Sequence, residues 1–138
     1  MTALLHWLLQ PLQLAVGWTL AILIALSIPA DALPNASSPL GTDKAIHAGL
    51  FGLFGVLWLR VAWRTVSSRW RVYASVLGGG VLFGVATEGY QHWMPLGRQG
   101  DPYDVLANTC GLLAAIGGYA LYQRIQPQSD PQGCSRKM

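Results

Sequence analysis

DPYDVLANTCGLLAAIGGYALYQ, residues 101–123, ends in nineteen consecutive residues, 105–123, that include no Asp, Glu, Lys or Arg. A helix needs roughly 20 residues to cross a hydrocarbon layer about 30 Å thick, so this run is of spanning length. At 100° per residue, Asp104, Asn108, Gly111, Ala115 and Gly118 fall within about 80° of one another. The stripe is polar at its start and small beyond it. Helices in lipid associate through close approach and polar contacts, so this face is expected to turn inward, against other helices.

Three further runs lack the same four residue types: 12–28, 45–59 and 72–87, of 17, 15 and 16 residues. The second reaches spanning length by running to Trp63 with Arg60 snorkelling, and the third by running to Gln91 with Glu88 inside its end. The expected fold class is an all-α membrane protein, a compact bundle of four transmembrane helices. One domain covers residues 1–123, and a short polar cytoplasmic tail over 124–138 has the composition of a disordered segment. The whole 138-residue chain agrees, with 52% hydrophobic residues, 11% charged and a mean hydropathy of +0.36. Soluble domains carry about a quarter charged residues. A net charge of +3 is too small to indicate a nucleic-acid partner. Cys110, in an apolar run, and Cys134, in the polar tail, read as free thiols.

Loop charge gives the orientation. Seven basic residues (Arg60, Arg64, Arg69, Arg71, Arg124, Arg136, Lys137) fall on one side, against Lys44 and Arg98 on the other. Both termini are therefore expected in the cytoplasm, in a multi-pass protein of the cytoplasmic (inner) membrane. Five of the six acids fall on the outer side, leaving it at −3 and the inner side at +6. Trp58, Trp63 and Trp70 are expected near the inner surface, Trp93 and Tyr103 near the outer one. Ala30-Asp31-Ala32 resembles a signal-peptidase site, but residues 1–11 carry no Lys or Arg and include Pro11, which argues against a leader. On the third helix Gly80 and Gly84 stand four apart, after Gly78 and Gly79. On the second, Gly49, Gly52 and Gly55 form a groove away from Asp43 and His47, expected to receive the first helix while the polar face looks at the third and fourth.

The outer helix ends collect a polar constellation. Asp43 and His47, Glu88 and His92, and Asp104 and Asn108 are each i,i+4 pairs, so each helix is expected to aim two polar groups in one direction. Lys44, Gln91, Arg98 and Asp101 complete the set. The short stretch 92–101 forces the last two pairs together. Plainer roles compete with functional ones. Asp101-Pro102 is an N-cap and N1 pair with Asp104 at N3. Asp43 can cap its own helix with Lys44 snorkelling, Asn108 and Gln91 can be interhelical hydrogen bonds, and His92 can decorate the interface beside Trp93. His6 has no partner motif. Glu88 resists such a reading, because an acid late in a helix opposes the dipole and an ionisable group at membrane depth needs partners.

Taken in order, Asp43-Lys44-x-x-His47, Glu88-x-x-Gln91 and Arg98-x-x-Asp101-x-x-Asp104-Val-Leu-Ala-Asn108-Thr-x-Gly111 resemble the VanZ-like family of small membrane proteins, over roughly residues 10–123. The resemblance implies a bundle of about four membrane helices. For the member that named the family, it implies a role in low-level resistance to the glycopeptide teicoplanin. It supplies no settled activity, and no function of longer relatives' extra domains carries over.

Three functions remain open on the residues. Arg98 with Lys44 can hold the phosphate of a lipid-linked cell-envelope molecule, the other polar residues completing the ligand site. Glu88, His47 and Asp104 are the candidate catalytic residues of an enzyme acting on such a lipid, as acid, base or ligands of Mg, Mn or Zn. Alternatively, the set is a structural clasp in a scaffold subunit. Four short helices leave a transporter little room for two gates.

Overall fold

The chain is built from α1 (Thr2–Leu26), α2 (Leu40–Thr65), α3 (Arg69–Trp93) and α4 (Pro102–Ile125). The computed structural model describes residues 2–28, 40–94 and 101–125, with side chains from Gln10 and Asp43 onward in the first two stretches. No strand occurs among the described residues. Cys134, Arg98 and the Ala30-Asp31-Ala32 tripeptide lie outside them, as does most of the tail.

The helix ends follow from local chemistry. α2 and α3 are separated by Val66, Ser67 and Ser68 alone, and so short a link makes antiparallel neighbours. Ser68 takes an extended conformation (φ −102°, ψ 123°), and its carbonyl receives the first bond of α3 from Val72 N–H at 3.0 Å. α3 stops at Trp93 because Met94 precedes a proline. The proline ring disfavours helical backbone in the residue before it, and Met94 is extended (φ −84°, ψ 136°). Asp101 and Pro102 occupy the N-cap and first helical positions of α4, and Tyr103 N–H donates to Asp101 Oδ1 at 2.9 Å, as the capping reading expects.

α1 begins well before residue 12, the expected start of its apolar run. The helix continues through Pro11 back to Thr2, where residues 1–11 were read as flank. A proline inside a helix removes one ladder bond, a loss that membrane helices tolerate more readily than soluble ones. α2 and α3 each end two residues past their expected limits, at Thr65 and Trp93.

The most extensive contact is between α2 and α4. They run parallel, in a register that Gly52 with Gly111 and Gly55 with Ala115 define. A Cβ on Gly52 would stand at ordinary contact distance from the Gly111 carbonyl. A Cβ on Gly111 would collide with the Ala48 carbonyl and stand 2.9 Å from Gly52 N. The two backbones therefore touch. This corrects the expected packing: the α2 glycine groove takes α4, not α1, and Gly49 faces open space. The reason is size. α1 offers Trp18, Ile22 and Leu26 at its contact face, too bulky for a groove that Gly111 and Ala115 fill. Four of the five stripe residues of α4 are buried as expected, but Gly118 is exposed; at that level Ile116 and Tyr119 make the contact instead.

Above this contact Ile22, Leu26, Phe51, Phe54 and Leu112 form one core, and Leu59, Ala62, Val72 and Val76 another. Phe83 stacks on Phe54 at 5.3 Å. α1 is pinned by polar contacts: Trp18 Nε1 donates to the Leu50 carbonyl at 3.0 Å and Trp58 Nε1 to Thr19 Oγ1 at 3.2 Å. Trp58 thus packs inside the bundle rather than lining an interface, whereas Trp70, Trp93 and Tyr103 are exposed.

α2 from Asp43, α3 and α4 are each long and apolar enough to cross a membrane, and only a third or less of each such window is buried inside the bundle. The remainder presents Leu82, Val85, Leu106, Leu113 and Leu121 outward, a surface that suits lipid and not water. In α1 the apolar stretch is Gln10–Leu26. The protein is an all-α membrane protein.

Gly111→Ala should lower bundle stability by about 3 kcal/mol or more, since neither backbone it meets can yield. Gly118→Ala, with open space around it, should stay within about 0.5 kcal/mol. Thermal melting in detergent distinguishes the two, and equal melting of both variants would refute the backbone contact.

Candidate functional site

The polar residues gather where α2 begins, α3 ends and α4 begins. The parallel register of α2 and α4 brings the first helix end against the third. His47, 4% exposed, places Nδ1 3.2 Å from Asn108 Oδ1, with Asn108 1% exposed. On the far side of the ring, Nε2 lies 3.7 Å from Asp104 Oδ2. One turn earlier, Lys44 Nζ donates to Asp101 Oδ2 at 2.9 Å and to Asp104 Oδ1 at 3.1 Å, with the Tyr103 ring 5.5 Å away. Lys44 does not snorkel: the two carboxylates of α4 hold it in the bundle. Asp43 stands in the first turn of α2 rather than at its cap, and its carboxylate faces the same space as His47 and Asp104.

α3 closes the third side. Thr87, Glu88 and Gln91 are buried, whereas His92 is exposed. The expected Glu88/His92 pair is therefore split, because their helical positions straddle the edge of the bundle. The inward set is Thr87, Glu88 and Gln91. Glu88 Oε2 accepts from Asp101 N–H at 3.2 Å, so the end of α3 holds the first residue before α4. Its other oxygen, Oε1, is buried with no partner among the described residues. Asn108 Nδ2, likewise buried and unpartnered, faces Gly84 of α3.

The expected candidates thus converge, Arg98 excepted because it lies outside the described residues. The pairings differ from the expected ones. His47 meets Asp104 and Asn108, while Glu88 meets the backbone of Asp101. Sequence reasoning gave no role to Ser27 and Tyr90, whose hydroxyls lie 3.2 Å apart and tie α1 to α3 near this end. A serine following α1 and a tyrosine beside Gln91 were the only signals available. Cys110 is exposed.

The electrostatics are lopsided. Among the described residues, four carboxylates (Asp43, Glu88, Asp101, Asp104) face one ammonium, a formal charge of −3 with His47 counted as neutral. Asp101, outside the apolar spans, has its carboxyl held below its ordinary range by the Lys44 hydrogen bond and then by Tyr103 N–H. A depressed carboxyl stabilises the fold at neutral pH and loses that contribution only as pH falls below its ordinary value of 3.8 towards the lowered one. The entrance is on the side of Asp43, which is exposed, and Asp101, whose side chain is 36% exposed. A separate apolar cleft of about 480 Å³ lies among Thr19, Phe54, Trp58, Val76, Gly80 and Phe83. No residue of the polar cluster lines it.

Asn108→Ala strips the His47 ring of its Nδ1 partner and should cost on the order of 1–2 kcal/mol of bundle stability. Asp101→Asn keeps a good N-cap while weakening a partly exposed ion pair, and should cost clearly less. Equal losses in thermal melts would contradict this division between buried and open parts of the cluster.

Three helix ends carrying Asp-Lys-x-x-His, Glu-x-x-Gln and Asp-x-x-Asp-x-x-x-Asn now stand as one cluster in an apolar helical bundle. Among curated proteins and solved structures, none matches the chain. The VanZ/LLP1 family matches over residues 8–123, which takes in α2 and α3, most of α1 and α4 and every residue of the cluster, and the chain belongs to that family.

Proposed function

We propose that this VanZ/LLP1-family membrane protein lies in the cytoplasmic membrane with both termini inside. On this reading residues 1–123 form a four-span domain, and the polar cluster faces outward, where it binds the headgroup of a lipid-linked cell-envelope molecule. The observation that carries the reading is the convergence of ionisable side chains from three helix ends at the mouth of an otherwise apolar bundle. Such groups are costly at membrane depth and usually serve a ligand or pathway. Asp43, Lys44, His47, Glu88, Gln91, Arg98, Asp101, Asp104 and Asn108 are the proposed ligand residues. The carboxylates accept from headgroup hydroxyls or amines. Lys44 and Arg98 meet phosphate. Lys44 can do so because its link to Asp101 is about a third exposed on both sides, and ion pairs of that kind are weak enough to exchange. Sequestering such a molecule would alter susceptibility to glycopeptides of the teicoplanin type, which act at that surface.

A second reading is an enzyme acting on the same lipid. It is favoured by the facing pair His47 Nε2 and Asp104 Oδ2, an arrangement suited to moving a proton, with Glu88 buried beside it. Under this reading Glu88→Gln keeps the lipid and stops turnover, and unchanged product formation by that variant would refute it.

Native mass spectrometry of protein extracted in mild detergent tests the first reading. A polyprenyl phosphate or other anionic envelope lipid should accompany the wild type and be lost in Arg98→Ala, with melting unchanged. Bare wild-type protein, or equal lipid on both, would overturn it.

A further inference from the structure

We infer that Asp43, His47 and Asp104 form a binding site for one divalent transition-metal ion, of the Zn²⁺ or Mn²⁺ class. One donor atom from each of the three lies within 4.8 Å of the others. An ion with bonds of about 2.1 Å holds its ligands roughly 3–3.5 Å apart, so the groups close on it by shifts that side-chain rotation supplies. The His47–Asp104 edge, at 3.7 Å, is already near that spacing.

The hydrogen bonds around the three residues orient them for this task. His47 Nδ1 lies 3.2 Å from Asn108 Oδ1 and Nε2 lies 3.7 Å from Asp104 Oδ2, so in the tautomer that donates from Nδ1 to Asn108 the Nε2 lone pair faces the carboxylate, and a cation between them satisfies both. Metal-ligating imidazoles are held in this way, the other ring nitrogen donating to an oxygen. Lys44 binds Asp104 through Oδ1, so Oδ2 stays available. Asp43 is exposed and gives the ion its route in.

An independent observation points to the same place. Glu88 is 7% exposed and its Oε1 has no partner among the described residues, yet the carboxylate is near enough to both Asp104 and His47 to interact with each electrostatically. A water on the ion is a donor for that oxygen. The ion also reduces the formal −3 of the cluster to −1. Three protein ligands leave coordination positions open, where a phosphate oxygen or a water can bind. One imidazole with two carboxylates selects first-row transition ions over Ca²⁺ and Mg²⁺, which prefer all-oxygen sets.

The test uses the full chain, free of any affinity tag, in detergent, stripped with chelator and titrated calorimetrically with ZnCl₂ and then MnCl₂ without added lipid. One ion per chain is expected. Asp43→Asn, an exposed change that leaves the fold intact, and Asp104→Asn should each weaken binding by about 10-fold or more. Glu88→Gln should weaken it less with stoichiometry kept, and His92→Ala should leave it unchanged. No binding by the wild type, equal affinity in Asp43→Asn, or loss in His92→Ala would overturn the site. Because the titration reads the ion and no lipid is added, failure here leaves the lipid reading standing, and failure of the lipid experiment leaves this one standing.

Discussion

The close approach of α2 and α4 at Gly111 is the constraint from which the rest of the arrangement follows. With no side chain on either Gly52 or Gly111, the backbones meet in parallel, and the register is set by which small residues face each other. Once Gly52 faces Gly111, His47 must stand near Asn108 and Lys44 near Asp104, one and two turns closer to the helix starts. The polar cluster is thus a consequence of small-residue packing rather than of attraction between its members. That order of causes suits lipid, where apolar burial does not favour one register over another and close backbone contact does.

The cluster is then stabilised unevenly. Lys44 is shared between two carboxylates, and the α4 cap is shared between Tyr103 N–H and Lys44 through the two oxygens of Asp101. Glu88 adds a third helix by accepting from the Asp101 backbone. These contacts fasten the entrance. Deeper in, the His47 ring has one satisfied nitrogen and one that faces an acid, and Glu88 has one satisfied oxygen and one that does not. Fully satisfied polar sets rigidify a bundle, whereas leftover valences in a low-dielectric interior are expensive. Their persistence on adjoining residues of α2 and α3 is the physical reason to read this end as made for a guest.

Much of this was legible in the chain. The charge-free runs located all four helices, Asp101-Pro102 marked where α4 starts, and the α4 stripe named its buried face from Asp104 to Ala115. The polar residues were legible too, since acids and histidines at the ends of apolar runs stand out. What the sequence could not supply was partnership. Periodicity shows that Gly52 and Gly55 make a groove, but nothing in α2 alone says whether α1 or α4 enters it. The bulk of Trp18, Ile22 and Leu26 against the smallness of Gly111 and Ala115 decides that, and only as a comparison across helices. The splitting of Glu88 from His92 has a similar origin: i,i+4 spacing puts two residues near one face, but the edge of a bundle can pass between them.

The two ends of the bundle differ in kind. Towards the α2–α3 turn, Trp63 packs against Tyr73 and Tyr119, an aromatic set with the amphipathic character of an interface. Towards the α3–α4 connection the interior becomes ionisable while the exterior stays apolar, with Ile46 and Leu106 exposed at the level of His47 and Asn108. A charged interior behind an apolar wall is reached from the open end and not from the lipid flank. Whatever binds there must therefore bring its polar part in past Asp43 and Asp101, and any hydrocarbon it carries must lie outside the helices. That geometry favours a headgroup entering alone over a whole lipid threading the bundle.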